Sequence, residues 1–244
     1  MIPTISRTMM SFTAATLLLI VAPVSAPAFA APHETYTIEV GSYPYSMALS
    51  PNGKKAFVAN YGDNTVTVIN VKKDTVQGAP IAVGDYPFSV AIAPNGATAY
   101  VANSDSDDVT AIDVATGTVQ GSPINVGDGP YSVAFTPDGE TAYVANSHDG
   151  SVSVIDVTTG TVQGAPIDVG AGPASVAFTR NGKIAYVANS SDDTVSVINV
   201  TTGTVQGAPI TVGNGPASVV FSPNGKKAYV VNANDYTVSV IKTR

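Results

Sequence analysis

Apolar and polar residues alternate with period two through most of this chain, and the alternation recurs in short runs separated by turn residues. Ser-Val-Ser-Val-Ile-Asp-Val at 151–157 and Thr-Ala-Tyr-Val-Ala-Asn at 141–146 each read as a strand with one face in and one face out. Between such runs stand Pro-Asp-Gly, Pro-Asn-Gly and Thr-Gly-Thr. Proline presets φ, Asn or Asp tolerates the next position, and glycine accepts a positive φ, so each tripeptide predicts a tight turn. No stretch holds helical periodicity. The pattern predicts four antiparallel strands in the unit 126–168: one near 132–136, a second at 141–146, a third at 151–157 and a fourth at 161–167. The fourth carries a proline, which cannot donate to a ladder, and is therefore expected at a sheet edge.

The unit repeats without slippage. Val-Gly-x-x-Pro opens at Val40, Val83, Val126, Val169 and Val212, each 43 residues from the last. Ala-Tyr-Val-Ala-Asn stands at 99–103, 142–146 and 185–189, with near-copies at 56–60 and 228–232. Four strands every forty-odd residues is the signature of a propeller blade, whose two faces are buried only by neighbouring blades. These motifs, over roughly 40–244, resemble the YVTN-type β-propeller repeat of archaeal surface-layer proteins and exported bacterial proteins. The resemblance implies a fold rather than an activity. The related propellers include structural surface modules and lactonase-like enzymes, but no lactonase catalytic residue carries over to a position of these units.

The expected architecture is an all-β, five-bladed propeller, where seven blades are commoner in the family. The last unit stops after its third strand, at 238–244, and residues 35–40 align with the missing fourth, Ile38 falling where Ile81, Ile124, Ile167 and Ile210 fall. The N-terminal strand is therefore expected to pair with the last blade and close the ring as a monomer. Open arcs that assemble in pairs, or a fragment of a longer ancestor, are the alternatives.

Composition adds a leader and a sign of charge. Arg7, the apolar run 12–22 and Ala28-Phe29-Ala30 lay out a secretory signal peptide over 1–30, leaving 31–244 as one domain. A secreted, periplasmic or cell-surface protein is expected, with no transmembrane segment in the mature chain. The formal net charge is −7, which disfavours nucleic acid as a partner. There is no cysteine, hence no thiol chemistry.

Candidate chemistry lies where the copies stop agreeing, in the Val-Gly-x-x-Pro connectors and in the loops after each Asn. Both belong to one face. Aromatic residues gather there on the first three blades: Tyr43, Tyr45, Tyr61, Tyr86, Phe88 and Tyr131, with Tyr236 on the fifth, expected beside the first when the ring closes. Acids share the face: Asp63, Asp85, Asp105, Asp107, Asp108, Asp128, Asp149, Asp192, Asp193 and Asp235. Flat rings beside carboxylates suit a glycan or an extended peptide, or the rings simply plug the mouth. Asp105, Asp107 and Asp108 are the best cation candidates, though they lack a calcium-loop spacing. His148 is the one histidine on this face; Asp149 beside it in sequence does not define a catalytic pair. No nucleophile elbow and no paired glutamates are present, and no cofactor is implied. Lys54-Lys55, Lys72-Lys73 and Lys226-Lys227 lie in turns of the opposite face. The leading expectation is a non-enzymatic binding module of the cell envelope, recognising a glycan, peptide or envelope protein; the alternatives are a surface-layer-like structural protein and a lactonase-like hydrolase.

Overall fold

The first three strands of each unit form where the sequence places them. The computed structural model describes residues 36–243; the leader expected at 1–30 lies outside them. Residues from Ile38 onward form one compact unit, all strand and turn among the described residues. Blade three is representative. Its three long strands, Pro130–Phe135, Thr141–Asn146 and Ser151–Asp156, pair antiparallel in sequence order. Gly139 turns the first onto the second at φ 75°.

The fourth strand differs from expectation. It is two short pieces, Thr161–Val162 and Ile167–Asp168, both paired with the third strand. Gly164 at φ 66° and Pro166 interrupt them, because proline has no N–H to offer the ladder and the glycine bends the chain away. The same split recurs in blades one, two and four.

Alternation along the second strand sends successive side chains into different junctions. Tyr100 packs toward blade three and Val101 toward blade one; Tyr143 packs toward blade four and Val144 toward blade two. The first strands line the inside, each packed against the first strand of the next blade. Ser46, Ser89 and Ser175 add a bond across a junction, accepting from the N–H groups of Val90, Val133 and Val219.

The expected closure is not formed. Residues 36–40 adopt no strand, and Thr237–Lys242 pairs with the second strand of its own blade alone among the described strands. No packing comparable to the other junctions joins the first strand of blade one to that of blade five. Among the described residues five blades therefore follow one another as an arc with two open ends. The physical reason is geometric: pairing termini requires the rotations at four junctions to sum to a closed ring, and local complementarity between the termini does not fix those rotations.

Candidate functional site

The connectors and the loops after each Asn do share a face, and the asparagine builds it. Asn146 is fully buried; its Nδ2 donates to Ser151 Oγ and Ser153 Oγ, both at 2.9 Å. Its counterparts make the same pair of bonds to the residues five and seven positions on. The glycine of each Val-Gly lies against this amide, so that a Cβ on Gly127 would fall 2.5 Å from Asn146 Nδ2. In blade one the contact is a hydrogen bond, Gly41 N donating to Asn60 Oδ1.

Most of the acids on the face hold backbone. Asp63 accepts from Ser42 N at 2.6 Å, and the bond holds its carboxyl below the ordinary value. Asp149, Asp192 and Asp235 accept from their own connectors in the same way. Asp107 and Asp193 reach the connector of the next blade, accepting from Gly129 N and Gly215 N. Of the three cation candidates, Asp107 is thus occupied, and Asp108 accepts from Asn103 Nδ2 at 2.7 Å, with burial pushing its carboxyl up. Among the described residues no three acidic or histidine side chains converge to hold a metal.

Five of the seven candidate aromatics come together. Tyr45, Phe88 and Tyr131 hold the same position on three consecutive inner strands. Phe88 lies 4.9 Å from Tyr45 and 4.7 Å from Tyr131, centroid to centroid. Tyr61 stacks on Tyr86 at 4.6 Å and reaches Phe88 at 4.9 Å. The hydroxyls of Tyr45 and Tyr131 hydrogen-bond to each other at 2.5 Å. Burial first, then this bond, pushes the Tyr131 phenol up to about 12. The result is a continuous aromatic platform on blades one to three. Tyr43 and Tyr236 stand apart from it, both strongly exposed and both at positive φ. Because the ends do not meet, Tyr236 is not brought beside blade one.

One side-chain pairing escaped the sequence. His148 turns away from its neighbour Asp149 and places Nδ1 3.2 Å from Asp128 Oδ1. Asp149 is committed to Asp128 N and Ser151 Oγ. The loop's second residue meets the connector's first residue, twenty positions earlier; in blade five the same positions give Asn234 donating to Asn214. The repeat register held that signal, since every loop has the same offset from its connector. His148, but not Asp128, lines a shallow depression of about 620 Å³ together with Ser147, Asp168 and Ser191.

The cations are confined to one face; the acids are not. The connector face carries the aspartates above, while every described lysine and arginine lies in or beside the turns of the opposite face. Lys55 there is no free surface charge: its Nζ donates to the carbonyls of Val114 and Ala115 on the next blade, both at 2.8 Å.

Comparison with known proteins returns propellers. The family described as lactonase, seven-bladed β-propeller, matches residues 32–168. The chain is similar in structure to hydrazine synthase of Kuenenia stuttgartiensis, with TM-score 0.76 and 27% identity over 87% of this chain and 66% of that one. A proposed 6-phosphogluconolactonase from Bacteroides uniformis follows at TM-score 0.73 and 19% identity, covering 84% of this chain and 67% of that one. A protein of unknown function from Desulfotomaculum acetoxidans gives 0.68 and 19%, over 82% and 68%. At 19% identity the likeness is one of fold. The chain spans about two thirds of the length of these solved chains. No curated protein sequence matches it.

Proposed function

The chain belongs to the lactonase family of seven-bladed β-propellers, and from that premise we propose that it opens an uncharged lactone ring on its connector face, with His148 and Asp128 as the acid–base pair. The observation that carries the reading is the 3.2 Å His148–Asp128 contact, whose histidine lines an open depression. Asp128 at Nδ1 favours the tautomer with Nε2 free to accept. Nε2 would take a proton from water as the water oxygen bonds to the lactone carbonyl carbon. The ring C–O bond then breaks, and the imidazolium returns the proton to the departing alkoxide, so lactone and water become one hydroxy acid. The charge distribution supports the substrate class. An anionic ring would approach a face of aspartates with no described cation beside them, at about 1 kcal/mol for each unit charge at 4 Å even in water. A phosphorylated sugar lactone is therefore the wrong substrate for this face, whatever the Bacteroides protein acts on.

A pH-indicator assay on neutral γ- and δ-lactones tests this. His148→Ala is expected to reduce kcat/KM about 10²–10⁴-fold, Asp128→Asn to reduce it less, and a phosphorylated lactone to be a poor substrate whose disadvantage shrinks as salt rises. A His148→Ala enzyme with undiminished rate would remove the pair from the chemistry.

The aromatic platform favours a second reading, a non-enzymatic module that binds a glycan or peptide outside the cell, exported by the leader expected at 1–30. Stacking of a sugar on Tyr45, Phe88 and Tyr131 is the physical basis. A glycan array separates the two: loss of binding on replacing these three by alanine, with His148→Ala binding normally, supports the module.

A further inference from the structure

Away from the connector face, a groove recurs at each blade junction. The break in the fourth strand leaves the outer edge of one blade open toward the Thr-Gly turn of the next. Between blades two and three the groove holds about 410 Å³, and Tyr100, Gln120, Thr158 and Thr159 line it. Between blades three and four it holds about 400 Å³, and Tyr143, Gln163, Thr201 and Thr202 line it. Tyr100 and Tyr143 are only 1% and 2% exposed. Neither hydroxyl makes a hydrogen bond among the described residues, yet neither phenol oxygen is fully enclosed, as the four orphaned asparagine Oδ1 atoms are. Each hydroxyl therefore opens into the groove that its residue lines. At the first junction a fully buried Phe57 takes the place of these tyrosines, and the groove shrinks to about 200 Å³ beside Lys55. The hydroxyl and the larger groove go together.

We infer that these two grooves are equivalent binding sites for a neutral sugar residue, each with a tyrosine hydroxyl at its buried end and a glutamine amide at its rim. No charged side chain lines either groove, so an ionic ligand would lose its hydration without gaining a counter-charge. Hydroxyl and amide groups instead offer donors and acceptors to a ligand that carries several hydroxyls. Burial pushes both phenols above their ordinary value, with Asp156 adding to the effect at Tyr100; each stays protonated and can donate. Gln120 and Gln163 each spend an amide N–H on an aspartate, Asp113 and Asp156. That bond fixes the side chain and leaves its carbonyl oxygen to accept. Ile124 and Val157 in one groove, and Ile167 and Val200 in the other, supply the aliphatic surface for the C–H groups of a sugar ring. The tyrosine rings already pack against Phe135 and Phe178 of the next blades. A wholly apolar ligand would leave tyrosine, glutamine and threonines unpaired. The volumes lie at the small end of the range for small-molecule sites, about 300–1,000 Å³. The groove between blades four and five is wider, about 610 Å³, and Lys242 lines it, so it is not a third copy of the same site. The inference is independent of both readings of the connector face.

Saturation-transfer NMR on the full chain tests the inference, with a panel of neutral mono- and disaccharides and with glucuronate as the anionic control. A neutral sugar is expected to bind and glucuronate not to bind. Tyr100→Phe with Tyr143→Phe removes only the two hydroxyls, and Phe57 shows that phenylalanine fits the position. This double variant is expected to keep its circular dichroism and to bind the sugar about tenfold more weakly. Gln120→Ala with Gln163→Ala is expected to weaken binding too, without touching the core. Replacing Tyr45, Phe88 and Tyr131 by alanine is expected to leave this binding unchanged, which separates the grooves from the aromatic platform. A wild-type chain that binds no sugar of the panel, its grooves holding water only, overturns the inference. So does undiminished binding in the tyrosine or the glutamine double variant, and so does binding that is lost with the platform.

Discussion

Gly127 has no room for a side chain. A Cβ there would lie 2.5 Å from Asn146 Nδ2 and from Asp149 Oδ2, the two side chains that fix the strand end and the connector. Gly127→Ala is therefore expected to cost about 1–3 kcal/mol by overpacking, measured by urea denaturation. Gly78 is the comparison: its Cβ would meet nothing within 4 Å, but its φ is 77°, so Gly78→Ala costs about 1 kcal/mol through the backbone alone. Equal losses would remove the packing argument. Asp108 is the residue out of pattern. Thr65, Ser151, Thr194 and Thr237 hold its position in the other blades and accept the same bond from the asparagine. Burial raises the Asp108 carboxyl above 3.8; the bond from Asn103 opposes this in part, and Asp107 and Asp85 add to it. A folded-state value above the unfolded one means that its contribution to stability is present below about pH 3.8 and is lost as pH rises through the raised value. Asp108→Thr keeps the acceptor and removes the charge. Its melting temperature is expected to rise by about 2–4 °C at pH 7, with the gain shrinking toward pH 3; a fall at pH 7 would show that the carboxylate is not a burden.

At the scale of the element, the broken fourth strand marks the outer edge of the blade. Proline at positions 80, 123, 166 and 209 denies an N–H to any incoming strand, and the glycine two residues earlier bends the edge away. Interrupted edges of this kind protect a sheet from pairing with other sheets. Pro166→Val would lengthen the edge of blade three into a continuous strand. It is expected to leave the melting temperature within about 2 °C while raising light scattering on prolonged incubation below that temperature; a variant as clear as wild type would mean that the glycine alone suffices. The aromatic platform is likewise a property of elements. Its rings come from the starts of three inner strands and from one loop and one connector, so no short window of sequence contains it.

At the scale of the whole molecule, blades two to four are covered on both sides, and blades one and five on one. Opening an end blade exposes less buried apolar surface, so its strands are expected to exchange amide hydrogens sooner. Lys227–Asn232 should lose protection well before Thr141–Asn146, measured by hydrogen exchange. Uniform protection would contradict an open arc. The amino-acid sequence by itself determined the period, the strands, the turns, the face on which the repeats diverge and the identities of the platform residues, because period-two burial and the chemistry of Pro, Gly and Asn act over a few residues. It also held the offset between loop and connector, although Asp128 and His148 read as a pair only once the fold brought them together. The tertiary structure decided which carboxylates are spent on backbone, which aromatics meet, and that the termini do not close. Those outcomes depend on the rotation from each blade to the next, a small angle set by packing across whole faces and summed over four junctions, which no local pattern encodes.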